Sequence, residues 1–255
     1  MFFRARLLLG YLVLLMLAGC NENKEKPPLR IATAANMQFA MQELISDFTT
    51  RTGIKCEPVI SSSGKLTAQI KEGAPYDVFV AADLKYPKAV FNAGLAVDKP
   101  EIYAYGKLVL WAYREESLPS LNGLTEEDIH HIALANPKTA PYGSAAISVL
   151  KKQHLYDSVE KKLVYGESIA QTNQFITSGA AEIGFTALAV VKSPTLKNKG
   201  NWVLIDSHLY DPIAQGVVIL KHDSRNQKGA QTFYEYLFSK DAQKILSDFG
   251  YSVNE

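Results

Sequence analysis

Residues Ser61-Ser62-Ser63-Gly64-Lys65 combine three hydroxyls, a flexible glycine and an ammonium group just ahead of an amphipathic stretch that includes Leu66 and Ile70. Backbone N–H groups at a helix start have no intrahelical acceptor, so such a turn is suited to holding an anion. The same residues fit two reactive patterns. Ser62-x-x-Lys65 matches the nucleophile motif of serine acyl enzymes, but its companions are missing: Lys138-Thr139-Ala140 lacks the glycine of K-T-G, and there is no S-D-N. A nucleotide P-loop fails because Val59 stands at its first glycine and Leu66 where Ser or Thr would bind magnesium. Lys65 then reads as a solvated residue of the first helical turn.

Three further loops share this character: Ala34-Ala35-Asn36, Ala140-Pro141-Tyr142-Gly143 and Glu167-Ser168-Ile169. Each stands beside an expected helix start and is rich in small or neutral hydrogen-bonding residues. Taken singly, each is better explained as an ordinary N-cap. Four together, converging between two sheets, describe an anion site built from neutral donors and helix dipoles. A fully ionised oxyanion only accepts hydrogen bonds, whereas protonated phosphate also donates and gains from a carboxylate. No acid stands among the candidate contacts, although Glu167 is adjacent to one, so sulfate, molybdate or tungstate fits better than phosphate.

The elements that must position these loops follow from hydrophobic periodicity. Strands are expected at 29–34, 55–60 and 77–81, with helices at 37–48 and after the serine turn as far as Gly73-Ala74-Pro75. Strand and helix alternating with short connections call for right-handed crossovers and a parallel sheet. The pattern restarts after Tyr105, with strands at 107–113, 129–135, 162–165 and 182–188 and helices at 142–150 and 169–177. A last strand at 213–220 and helices at 227–238 and 242–249 complete the chain. Ligands of parallel α/β sheets sit at the carboxyl ends of the strands, where all four loops lie. Tyr103, Tyr105, Trp111 and Tyr113 alternate at strand spacing and read as sheet packing rather than a sugar-stacking platform. A carbohydrate or peptide binder would want aromatic and acidic groups in the cleft.

The chain has 255 residues, 47% of them hydrophobic, enough for one large or two modest cores. Arg4 and Arg6 precede an apolar run from Leu7 to Leu17, too short to span a bilayer as a mature helix and ordered as an export signal. The run ends in Leu17-Ala18-Gly19-Cys20, which resembles the lipobox of bacterial lipoproteins. That resemblance implies a signal peptide at 1–19, acylation of Cys20 and a polar tether at 20–28, anchoring an extracytoplasmic domain to a membrane. Removing two arginines from 27 basic residues leaves 25 against 26 acidic ones, a net charge of −1, which does not steer the protein to nucleic acid. With Cys20 acylated, Cys56 has no disulfide partner and reads as a small core residue. His130, His131, His154, His208 and His222 lack metal-ligand spacing beyond one adjacent pair, and read as surface or structural residues.

From Leu29 to about Ser252 the sequence is similar to the periplasmic molybdate-binding proteins of ABC transporters. The stretches that carry the similarity include Ala32-Thr33-Ala34-Ala35-Asn36, Ser62-Ser63-Gly64-Lys65-Leu66, Gly73-Ala74-Pro75-Tyr76-Asp77-Val78-Phe79 and Ala81-Ala82-Asp83. Tyr105-Gly106-Lys107-Leu108-Val109-Leu110-Trp111, Asn136-Pro137-Lys138-Thr139-Ala140-Pro141-Tyr142-Gly143 and Ile183-Gly184-Phe185 continue it. The resemblance implies the two-lobed periplasmic-binding-protein fold (type II), an α/β architecture of parallel-rich sheets flanked by helices. Lobe 1 would take 29–105 plus 216–255 and lobe 2 106–215, with hinges near Tyr103 to Gly106 and Tyr210 to Gln215. It also implies a monomer that needs no cofactor, catalyses no reaction, captures molybdate or tungstate and delivers it to a membrane permease. Carried over by position, the oxyanion contacts are Asn36, Ser63, Tyr142 and Ile169, the last two mainly through backbone N–H groups. Ala35 and Ser62 are second choices, and molybdenum or tungsten would enter only as the oxyanion. One position departs from the family: Ala187 stands where some members supply a tyrosine hydroxyl, so water, Tyr142 or a different closure must replace that donor.

Overall fold

A computed structural model describes residues 27–113, 118–221 and 226–253. The expected signal peptide, Cys20, the tether before residue 27 and His222 lie outside the described residues.

The first strand, β1 (Leu29–Ala34), is apolar apart from Arg30 and Thr33 and almost wholly buried, as a strand covered on both faces must be. It leads through a single 3-10 turn into α1 (Gln38–Thr52), which buries Met41, Leu44 and Phe48 and stops at Gly53, where φ is 71°. β2 (Cys56–Ser61), α2 (Ser63–Lys71), β3 (Val78–Val80), α3 (Lys85–Asn92) and β4 (Glu101–Gly106) follow. The chain then builds β5 (Leu108–Ala112), β6 (Ile132–Ala135), α4 (Pro141–Lys152), α5 (Tyr156–Val159), β7 (Leu163–Gly166), α6 (Ile169–Ser178), β8 (Ile183–Ala187), α7 (Leu188–Val191) and β9 (Asn201–Leu204). It ends with β10 (Ile213–Ile219), α8 (Gln227–Leu237) and α9 (Lys240–Asp248).

Among the described residues these strands form two five-stranded sheets, ordered β2-β1-β3-β10-β4 and β7-β6-β8-β5-β9. Within each, three strands run parallel, β2-β1-β3 and β7-β6-β8. The sheets are nonetheless mixed: β10 is antiparallel to both β3 and β4, and β5 to both β8 and β9. The chain therefore leaves the first sheet at Lys107 and returns to it at Ile213, three residues before the expected boundary.

Four elements depart from the periodicity reading. β4 presents mixed rather than cleanly alternating faces, and β9 is a four-residue edge strand with Leu204 exposed. α3 carries Pro87 in its first turn, where a missing N–H costs nothing, yet the proline masks the helical signal. α5 is a single turn. The expected sheet packing of the aromatics holds for Trp111 and Tyr103, both buried, and Trp111 meets Tyr113 edge to face at 5.8 Å.

Separate buried clusters cover the two faces of the first sheet, one around Phe48 and Phe233, the other around Leu66 and Phe79. The core of the second sheet reaches across to include Ala34, Ala35 and Ala82 of the first. The apolar seam between the sheets is thus continuous with a core, and the carboxyl ends of β1, β2 and β6 open onto it.

Candidate functional site

Each loop at this seam is shaped by local rules. Ser62 is extended and caps α2, its Oγ accepting a long hydrogen bond from the Lys65 N–H at 3.4 Å. Ser63 is therefore the first helical residue. Ser168 caps α6 in the same way, accepting from the Gln171 N–H at 3.5 Å, which makes Ile169 the first residue there. Ala140 is extended, as the residue before a proline prefers, and Pro141 opens α4 with Tyr142 next. Ser63, Tyr142 and Ile169 consequently stand in first turns, where N–H groups lack partners within the helix and the dipole is positive.

The four loops converge. Ala34, Ala35, Asn36, Ser62, Ser63, Ala82, Ala140, Pro141, Tyr142 and Ile169 line one pocket. All six site candidates from the sequence, Asn36, Ser63, Tyr142, Ile169, Ala35 and Ser62, are on its wall, and each is at most 4% exposed. Ala187 is buried at the end of β8 and is not among the lining residues. About 10 Å³ is open to the centre of a water-sized sphere, room for one compact group. No lining residue carries a charge, and none is His, Cys, Asp or Glu. Such a wall suits a small anion with its own oxygen shell rather than a bare metal ion.

The Ser63 and Tyr142 hydroxyls have protons to give, whereas both Asn36 N–H bonds are already committed. Ser63 Oγ accepts from the Ala82 N–H at 3.0 Å, which leaves its own proton to give away. Asn36 Nδ2 donates to Gln215 Oε1 at 2.9 Å and to the Tyr251 hydroxyl at 3.1 Å, while Asn36 Oδ1 has no partner. Tyr142 does more than offer a backbone N–H: its buried hydroxyl accepts from Gln215 Nε2 at 3.1 Å and keeps a proton to donate. Burial holds the phenols of Tyr103, Tyr142 and Tyr251 well above the ordinary tyrosine range, so all three are protonated donors at neutral pH.

Contacts from opposite sheets close over this pocket. The Gly64 N–H donates to Thr139 O at 2.9 Å, and a Cβ on Gly64 would lie 2.9 Å from Thr139 Cα, so the approach requires a glycine. Tyr86 donates to Lys138 O at 3.0 Å. Lys65, read from sequence as merely solvated, pairs through Nζ with Glu167 Oε2 across the seam. The ammonium is directed to Glu167 and Ser62 is occupied as a cap, an arrangement that provides no base for an acyl-enzyme serine.

The sequence matches the family described as bacterial extracellular solute-binding protein over residues 29–252. The chain belongs to this family. It is 36% identical over 221 residues to the molybdate-binding protein ModA of Rhodobacter capsulatus, covering 86% of each chain. It is 30% identical over 251 residues, 94% of each, to a putative ABC transporter substrate-binding lipoprotein of Bacillus subtilis. The solved structure of the Azotobacter vinelandii periplasmic molybdate-binding protein superposes with a TM-score of 0.84 at 33% identity, over 89% of this chain and all of that one. The solute-binding protein thus has the periplasmic-binding-protein fold, and its pocket lies between the two sheets. Among the described residues no helix is long and apolar enough to cross a membrane.

The network behind the pocket escaped the sequence reading. Gln215, Tyr103 and Tyr251 approach Asn36 and Tyr142 from β10, β4 and the C-terminal segment, separated from them by up to 215 residues. The signal available was Gln215 itself, a lone amide in the apolar run of β10.

Proposed function

We propose that this solute-binding protein captures molybdate or tungstate in the pocket at the seam and delivers it to the permease of an ABC transporter. The observation that carries the reading is the neutral, buried, donor-rich wall shared by the four loops. A tetrahedral dianion accepts hydrogen bonds and has none to give, so a wall of donors without a carboxylate favours it over protonated phosphate. The ligand contacts are Asn36 and Ser63 through side chains, and Ser63, Tyr142 and Ile169 through first-turn N–H groups. Ala35 and Ser62 complete the wall. The similarity to molybdate-binding proteins supports the larger oxyanions over sulfate.

In the mechanism the chain divides into a lobe of 29–105 plus 216–255 and a lobe of 106–215, hinged near Tyr103 to Gly106 and Tyr210 to Gln215. Ser63 belongs to one lobe, Tyr142 and Ile169 to the other. Only the closed form brings their donors together, so the ion binds that form better and shifts the population toward it. Lys65 and Glu167 meet only on closure. The protein acts as a monomer, and the solute passes through it without reaction. Cys20 is acylated after removal of residues 1–19, which tethers the protein to the membrane that holds its permease. The likeness to a substrate-binding lipoprotein supports this anchoring. Equilibrium dialysis against molybdate, with molybdenum quantified by mass spectrometry, tests the reading: one ion per chain is expected, and no retained molybdenum would overturn it.

A further inference from the structure

Gln215 is fully buried and carries an amide in a strand of otherwise apolar or small residues. It does not line the pocket. The pairing of β10 with β4 shifts register at Gln215/Gly216, where the ladder skips Tyr103. Irregularities of this kind re-aim side chains. Here Tyr103 donates to Gln215 Oε1 at 2.9 Å, and the same oxygen accepts from Asn36 Nδ2 at 2.9 Å. Gln215 Nε2 donates to Tyr142 at 3.1 Å. The cluster is tightly enclosed. A Cβ on Gly106 would lie 2.0 Å from the Tyr142 hydroxyl oxygen and 2.5 Å from Gln215 Nε2.

Two hydrogen-bond arrangements are open to this group. In the observed one both Asn36 N–H bonds are committed, to Gln215 and Tyr251, and Asn36 Oδ1 is a buried acceptor without a partner. An oxyanion arriving there would meet a lone pair rather than a donor. Turning both amides by 180° exchanges their donors and acceptors. Gln215 Nε2 would then donate to Asn36 Oδ1, Gln215 Oε1 would accept the Tyr142 proton, and Asn36 Nδ2 would occupy the place of the orphaned oxygen. Tyr103 would turn its proton to Ala81 O, which lies 3.5 Å from its hydroxyl oxygen. Turning either amide alone sets nitrogen against nitrogen or oxygen against oxygen, so the two must reverse together.

We propose that Gln215 is a positioning residue of the anion site, which reverses in concert with Asn36 when an oxyanion enters and so converts a buried acceptor on the pocket wall into an N–H donor. The proposal rests on the oxyanion reading of the pocket. It gives a specificity consequence: only the reversed arrangement offers an Asn36 donor to a bare dianion, with Gln215 coupling that reversal to ligand entry.

The test is a double-mutant cycle read by calorimetric titration with molybdate. Gln215→Met, which keeps the volume and removes the amide, should weaken binding about 10- to 100-fold. In an Asn36→Ala background the same change should cost less than about 3-fold, because there is no amide left to orient. An equal loss in both backgrounds, or no loss in either, would overturn the proposal, since a merely structural glutamine acts additively. Gln215→Glu provides a second variant of nearly the same shape that accepts but does not donate. It should hold Asn36 in the observed arrangement, and the Asn36 side-chain amide resonance, which molybdate should shift in the wild type, should stay in place in this variant. A shift of that resonance equal to the wild type's would equally contradict the coupling. Failure of the wild-type protein to bind molybdate at all would instead sink the oxyanion reading, and the proposal with it.

Discussion

Ser63→Ala separates the two functions that one hydroxyl serves. Ser63 is 1% exposed, its Oγ accepts the Ala82 N–H at 3.0 Å, and its proton remains for a ligand. Removing it does two things. The N–H of Ala82, itself 3% exposed, loses its partner and costs about 1 to 3 kcal/mol of folding free energy. The anion loses a hydrogen bond to a charged acceptor, about 1.5 to 3 kcal/mol, or roughly 10- to 150-fold in Kd. Part of the first loss cancels in binding, since the orphaned N–H is present with and without ligand. Ser62→Ala is the comparison: its Oγ caps α2, so it should cost about 1 kcal/mol of stability and change affinity much less. Thermal denaturation without ligand and calorimetric titration with molybdate measure the two quantities on the same samples. A Ser63→Ala protein that is destabilised yet binds molybdate with unchanged affinity would refute the assignment of this hydroxyl to the anion.

Other outcomes follow from the same geometry. Lys65→Met should weaken molybdate binding less than about 5-fold, and less still at high salt, because Lys65 and Glu167 are 43% and 66% exposed; a loss near 100-fold would mean that the ammonium touches the anion. Burial, aided by Asp77, pushes the Cys56 thiol up to about 12, so at pH 8 only about one molecule in 10⁴ is thiolate. A disulfide reagent should therefore label the native protein far more slowly than the unfolded chain, with the rate climbing toward high pH; equal rates at pH 8 would contradict the burial. Cys20→Ser should move the protein from membrane to soluble fractions, and persistence in the membrane would count against acylation.

The pocket was legible where its chemistry is local. Ser62 and Ser168 announce helix starts by capping, Pro141 does so by its fixed φ, and strand-to-helix loops of an α/β chain face the ligand end of the sheet. The contacts that join distant segments were not legible. Gln215 meets Asn36 across 179 residues, and Lys65 meets Glu167 across 102. No periodicity encodes such pairs, because they depend on how β10 re-enters the first sheet and on the register shift opposite Tyr103. The mixed character of the sheets escaped for the same reason: a buried strand such as β5 or β10 reads as an apolar run whichever way its neighbours point.

The most direct test of the account is calorimetric titration of the purified protein with molybdate, tungstate, sulfate and phosphate in one buffer. One site per chain is expected, filled more tightly by molybdate and tungstate than by sulfate, with phosphate weakest for want of a carboxylate on the pocket wall. Tighter binding of sulfate or phosphate than of molybdate would contradict it.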